Sequence, residues 1–259
     1  MLSNTDTSQR TIQSVSRAIA ILRCFSGGQE RRLSEICKIV NLHKSTTSGI
    51  VNTLKAEGFL EQDPHTGKLQ LGLELFALAV NARRNLELIC EPYLNKLLEL
   101  SGETVNLAVL DADRSEVVYI AKKESKQSIR ISTSVGKRAP VYCTAIGKAI
   151  LAHMDPIKSN ELIDSLELIP LTEKTTTDKT TLKKELETIL KCGYAYDDEE
   201  FERDVICVAV PLCNIYGEPI GAISISGPVM RIDSQTRLNI ASVLRNEVAN
   251  IGMELSRLE

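Results

Sequence analysis

Between Leu33 and Leu71 the spacing of the apolar residues changes twice, and a turn residue marks each change. Ile36, Ile39 and Val40 give the apolar side of a short helix, with Ser34 expected as its N-cap. Asn41 suits the left-handed position that closes such a helix. Leu42-His43-Lys44 turns the chain into a second helix, where Thr47, Ile50, Val51 and Leu54 fall at i, i+3, i+4 and i+7. After Gly58 the helical period stops. Phe59 to Gln62 and Leu69 to Leu71 read as two short strands around a turn holding Pro64 and Gly67. Helix, tight turn, helix and hairpin in direct succession describe a helix-turn-helix followed by a wing. One helix precedes the unit: Val15, Ala18, Ile19, Leu22 and Phe25 line a stripe from Gln13, with Ser26-Gly27-Gly28 as its stop.

The second helix of the pair has an outer face of Ser45, Ser48, Gly49, Asn52 and Lys55, without a carboxylate. Hydroxyls and Lys donate to phosphates, and Asn can make a two-point contact with an adenine edge. Many surface helices carry a polar face, so this helix alone decides little. The succession of elements adds weight, because the preceding helix would hold the angle and Thr66 and Lys68 of the wing would reach flanking phosphates. The charge distribution agrees. Residues 1–80 hold nine Lys/Arg against seven Asp/Glu, leaving 22 against 27 in the remainder, for a net charge of −3. A mildly basic end on an acidic body fits a nucleic-acid contact confined to that end.

The remainder mixes strands and helices. A long helical region reads as two helices meeting near Asn85 to Glu91, the second packing through Tyr93, Leu94, Leu97 and Leu98. Strands are expected at 104–111, 116–122, 129–132, 205–212 and 218–226, with helices at 144–154, 181–193 and from Ser234 to the end. The fold class is α+β. Residues 1–11 read as a loose arm, 12–74 as the winged unit, 75–87 as a linker helix and 88–259 as a second domain.

Seven cysteines without a Cys-x-x-Cys pair read as reduced thiols in a cytoplasm, and no apolar run of membrane-spanning length occurs. No catalytic pattern emerges, so an enzyme is not expected. Gly147-Lys148 lacks the flanking residues of a phosphate loop, because Tyr142 and Ala149 fill those places. His43, His65 and His153 are far apart and form no metal pattern; no metal or cofactor is expected. His153, near a helix end, reads as a dipole partner.

The segments QSVSRAIAILRCF and LSEICKIVNLHKSTTSGIVNTLKAEGFLEQDPHTGKLQLGLELFALA resemble the N-terminal domain of the IclR family of bacterial transcription regulators. VGKRAPVYCTAIGKAILA, GYAYDDEEFERDVICVAVPL and GEPIGAISISGP resemble its effector domain in order and spacing. Gly49 stands where the family often places a basic residue, which moves DNA contact onto Lys44, Ser45, Thr46, Ser48 and Asn52. The resemblance implies a GAF-like C-terminal domain with a cup for a small organic acid. Its lining would be Ile131 in a strand, Ala145 and Ile146 at a helix start, Asp197, Val205, Cys207, Ser224 and Ser226. Ser224 and Ser226 alternate along a strand and share a face, where two hydroxyls need partners if buried. The expectation is a homodimeric or homotetrameric regulator, more readily a repressor, that binds operator DNA and no membrane. Two rivals differ in kind: a winged-helix protein-interaction module without DNA specificity, and a ligand-sensing domain with residual catalysis.

Overall fold

A computed structural model describes residues 12–25, 28–80 and 84–256. The expected arm at 1–11, Ser26-Gly27 of the first helix stop and the last three residues lie outside that set. The chain divides into two compact units, the boundary falling between Arg84 and Asn85.

The first unit holds α1 (Gln13–Arg23), α2 (Leu33–Val40), α3 (Lys44–Ala56), β1 (Leu60–Gln62), β2 (Leu69–Leu71) and α4 (Leu73–Val80). Its core is Ile21, Phe25, Ile36, Val51, Leu54, Leu60 and Leu69. The stripe expected on α1 is corrected here: Ile21 is fully buried, whereas Val15 and Ile19 are exposed, as is Ile39 on α2. Leu73 and Phe76 of α4 are also exposed. Ser34 is not the N-cap of α2. That helix begins two residues earlier, at Leu33 with Arg32 at the cap position, and the Glu35 carboxylate accepts the Arg32 N–H at 2.6 Å. Asn41 takes the expected left-handed conformation at φ 50°. The β1–β2 hairpin closes back on the end of α3, where a Cβ on Gly72 would stand 2.0 Å from the Gly58 carbonyl oxygen. Only glycine permits that approach.

The second unit comprises α5 (Arg84–Ser101), β3 (Thr104–Asp111), β4 (Glu116–Lys123), β5 (Arg138–Pro140), α6 (Ala145–His153), α7 (Pro156–Ser165), α8 (Lys179–Cys192), β6 (Ala195–Asp198), β7 (Val205–Cys213), β8 (Pro219–Pro228) and α9 (Ser234–Leu255). Its strands form one antiparallel sheet in the order β5-β4-β3-β8-β7-β6. The two faces differ in chemistry. Leu107, Val208, Val210, Ile223 and Ile225 pack with α5 and α9. The other face presents Ala108, Ala209 and Ala222 to α6, α7 and α8. Small side chains let α6 lie close to the sheet. The approach is tighter still at its first turn, where a Cβ on Gly147 would stand 2.2 Å from the Val141 oxygen.

Three expectations need correction. The helix break expected near Asn85 to Glu91 is absent, and α5 runs through Pro92. Proline there forfeits one bond, to the Leu88 carbonyl, on a side where Leu88 is exposed and water can serve. Ile129 to Ser132 form no strand; they lie in the loop between β4 and β5. Helix α7 and strand β6 were not expected, because the first is mostly polar and the second runs into an acidic stretch.

Candidate functional site

In the first unit, α3 is capped from its own turn. His43 Nδ1 lies 2.8 Å from Ser45 Oγ and accepts from the Ser45 N–H, so imidazole and hydroxyl together hold the helix start. Lys44, Ser45, Gly49 and Asn52 are exposed, while Thr46 and Ser48 are partly buried. Nothing lies within 4 Å of where a Gly49 Cβ would be, so that spot on the polar face is open. Two of the expected cations are already engaged. Lys55 Nζ donates to Gln62 Oε1 at 2.6 Å, tying α3 to the wing, and Lys68 pairs with Glu30 at 3.6 Å. In the wing turn, the Asp63 carboxylate accepts the His65 and Thr66 N–H groups, and these bonds hold it below the usual carboxylate range. Thr66 Oγ accepts the Lys68 N–H at 3.3 Å.

In the second unit, antiparallel register brings polar residues from four strands into one row. Asn106 on β3 pairs with Ser224 on β8, Ser226 with Cys207 on β7, and Cys207 with Asp197 on β6. All lie on the α6 side of the sheet, because their neighbours Leu107, Val208, Ile223 and Ile225 take the other side. Asn106, Asp197, Ser224 and Ser226 are each at most 3% exposed. Asn106 Nδ2 donates to Ser226 Oγ at 3.4 Å, and Asn106 Oδ1 has no partner. Among the described residues, the Ser224 hydroxyl makes no hydrogen bond and neither serine hydroxyl donates to backbone.

Asp197 Oδ1 accepts the Glu200 N–H at 2.7 Å and the Phe201 N–H at 3.3 Å, fixing the turn after β6. Burial nonetheless pushes its carboxyl up to about 7, against those bonds and the nearby Lys148 charge. The Cys207 thiol is raised by burial and by Asp197, with the Ser226 hydroxyl pulling the other way. Tyr119 on β4 packs against the α6-side cluster, and its hydroxyl is raised by burial and then by Cys207, Asp197 and Cys143. Val205 shares the Cys207 face of β7. Ala145 and Ile146 open α6, which Thr144 caps by accepting the Gly147 N–H at 3.2 Å. Ile131 sits in a loop and not in the strand expected for it; its carbonyl accepts the Thr104 hydroxyl at 3.0 Å, which anchors the loop to the start of β3.

An acid-free polar helix on a winged unit and a buried polar row on a sheet domain are joined here in one chain. Residues 14–64 match the IclR helix-turn-helix domain, and residues 78–253 match the C-terminal domain of bacterial transcriptional regulator IclR. The chain belongs to the IclR family. It is 31% identical over 247 residues to the HTH-type transcriptional regulator KdgR of Escherichia coli, covering 95% of this chain and 93% of that one. It is 33% identical over 224 residues to the transcriptional repressor IclR of Escherichia coli, covering 85% and 82%. The solved structure of Thermotoga maritima IclR superposes with a TM-score of 0.76 at 31% identity, covering 94% of this chain and 98% of that one. IclR proteins of this kind are transcription regulators with a DNA-binding helix-turn-helix and a C-terminal ligand-binding domain.

Three side chains in and around the polar row escaped sequence reasoning. Asn106 joins the row only because β3 lies beside β8, and Tyr119 comes near it only because β4 lies on the far side of β3; sequence does not print strand order. The signal available for Asn106 was its alternation with Thr104 on a strand that is otherwise apolar. Lys148 was set aside with the phosphate-loop pattern. The structure buries it fully on α6, with Nζ 2.5 Å from both Glu185 Oε1 and Glu200 Oε1. His153 closes α6 with Nδ1 donating to the Ala149 carbonyl at 3.0 Å, and burial lowers its pKa. The ring thus meets a carbonyl of the last turn, as a partner of the helix end would, while burial disfavours its charged form.

Proposed function

We propose that this regulator represses transcription by binding operator DNA through α3 and the wing, and that a small organic acid held over the polar row of the sheet controls that binding. The observation that carries the reading is Asn106 Oδ1, buried without a protein partner, beside the Ser224 hydroxyl, which makes no hydrogen bond among the described residues, and a carboxyl whose ionisation the surroundings resist. Buried polar groups are normally paired. A few of them converging in an apolar surround is the usual form of a small-molecule site. Ile131, Ala145, Ile146, Asp197, Val205, Cys207, Ser224 and Ser226 would line it, with the first-turn N–H groups of α6 suited to a carboxylate. The working division is 12–74 for the DNA-binding unit, 75–87 for the linker and 88–259 for the effector domain, acting in the cytoplasm where operator DNA is.

On the DNA side, Lys44, Ser45, Thr46, Ser48, Gly49 and Asn52 would enter the groove while Thr66 and Lys68 meet phosphates. One such head has few free cations, so specific binding calls for two heads on a two-fold site. The exposed Ile12, Val15 and Ile19 of one stripe, with Leu73 and Phe76, support a second copy of the chain as the partner that covers them. Asn52→Ala is expected to relax base preference by about 1–3 kcal/mol. Fluorescence anisotropy on a specific and a random duplex reads this. An equal loss on both would make Asn52 a phosphate contact.

The effector side is tested by Ser224→Ala with Ser226→Ala. The double variant should keep operator affinity and lose release by the acid that acts on the wild type. An unchanged acid dissociation constant in the variant would remove the two hydroxyls from the site.

A further inference from the structure

We infer that Asn106 accepts a hydrogen bond from the effector, and that the effector is therefore a hydroxylated acid. The inference rests on the reading that the polar row holds an organic acid. Asn106 is 1% exposed on β3, a central strand of the sheet. Its Nδ2 has Ser226 Oγ, and its Oδ1 has nothing. A buried acceptor without a donor loses its hydration and gains no bond in return. Leucine at 106 would fill similar space without that loss, as Leu107 does on the opposite face.

The surrounding groups sort by what they can offer. The Ser224 and Tyr119 hydroxyls have no partner among the described residues, and each can donate to a ligand oxygen. Asn106 Oδ1 can only accept. A carboxylate satisfies donors and brings no proton, so an acid with an alkyl chain leaves Asn106 Oδ1 as it is. A hydroxyl does both: it gives its proton to Asn106 Oδ1 and takes one from Ser224 or Tyr119. Asp197, which ends the same row on β6, adds a second group able to accept. The geometry thus asks for a carboxylate with at least one hydroxyl directed at β3.

The test is calorimetric titration of the full chain with acids matched in length, lactate against propionate and gluconate against hexanoate. Within at least one pair the hydroxylated acid should bind at least tenfold more tightly. Asn106→Leu should erase that difference and leave the melting temperature of the ligand-free protein unchanged or higher; Asn106→Ala serves for the affinity comparison if the leucine variant does not fold. Equal affinities within both pairs, discrimination retained in the variants, or a lower ligand-free melting temperature in a folded Asn106→Leu would each overturn the inference, the last by showing the amide satisfied within the protein. If propionate binds as well as lactate and hexanoate as well as gluconate, the organic-acid reading stands and only this inference falls. If no acid binds, both fall together.

Discussion

Lys148→Ala is expected to lower the unfolding free energy by about 3–5 kcal/mol, the range found when one member of a buried ion pair is removed. The lysine side chain is fully buried, with Nζ 2.5 Å from a carboxylate oxygen of Glu185 and of Glu200. Burial alone would lower its pKa, but Glu200 and Glu185 outweigh that and hold the ammonium above its ordinary value. Glu200 is itself raised by burial, against the pull of Lys148, and its Oε2 has no partner. Removing the ammonium leaves Glu200 with no counter-charge and a second carboxylate beside it. The carboxyl then escapes by taking a proton, so the loss should be larger at pH 8 than at pH 5. Urea unfolding at the two pH values measures both quantities, and Lys148→Ala with Glu200→Gln should recover part of the loss. A cost below about 1 kcal/mol would mean that the pair is screened as an exposed one is. The triad also bears on the site, since it ties α6, which begins with Ala145 and Ile146, to α8 and to the turn that Asp197 holds.

Asp197→Asn is expected to stabilise the ligand-free protein at pH 8 by roughly 2–4 kcal/mol, with the gain fading toward pH 4. The carboxyl is pushed from 3.8 up to about 7, first by burial. A carboxyl raised on folding binds more protons in the native state than in the unfolded one. Its contribution to stability is fully present below about 4 and is lost as pH rises through about 7. Asparagine removes that loss and keeps an oxygen for the Glu200 and Phe201 N–H groups. The other ionisable groups that act on Asp197 or feel its charge are Lys148, Glu200, Cys143, Cys207 and Tyr119, and they remain in the variant. Paired denaturant melts across pH 4 to 8 test this. A variant less stable than wild type at both ends would show the carboxylate to be ionised and satisfied.

Elements with one strong period were legible in the sequence. Thr47, Val51 and Leu54 are buried as their spacing requires, and β3, β7 and β8 begin within a residue of their expected positions. Where the reading failed, a nonlocal cause had overridden the local one. Val15 and Ile19 are apolar yet exposed in a single chain, so periodicity selected them over Ile21. Pro92 would stop a helix, but it sits where its one lost bond faces solvent. Ile129 to Ser132 have strand composition and no strand to pair with. The site was legible in part for the same reason. Ser224 and Ser226 announce themselves by alternating on one strand. Asn106 and Tyr119 become candidate site residues only once strand order places β3 beside β8 and β4 beside β3.

The proposed regulator stands or falls on sequence-specific DNA binding under the control of a small acid. Its most direct test is the anisotropy of a labelled duplex taken from the DNA upstream of this protein's own gene, against a shuffled duplex at ~0.15 M salt. Binding should be tighter to the native duplex, and a hydroxylated acid should release it. Absence of binding to either duplex, even at low salt, would contradict the proposal and leave the winged unit as a protein-interaction module.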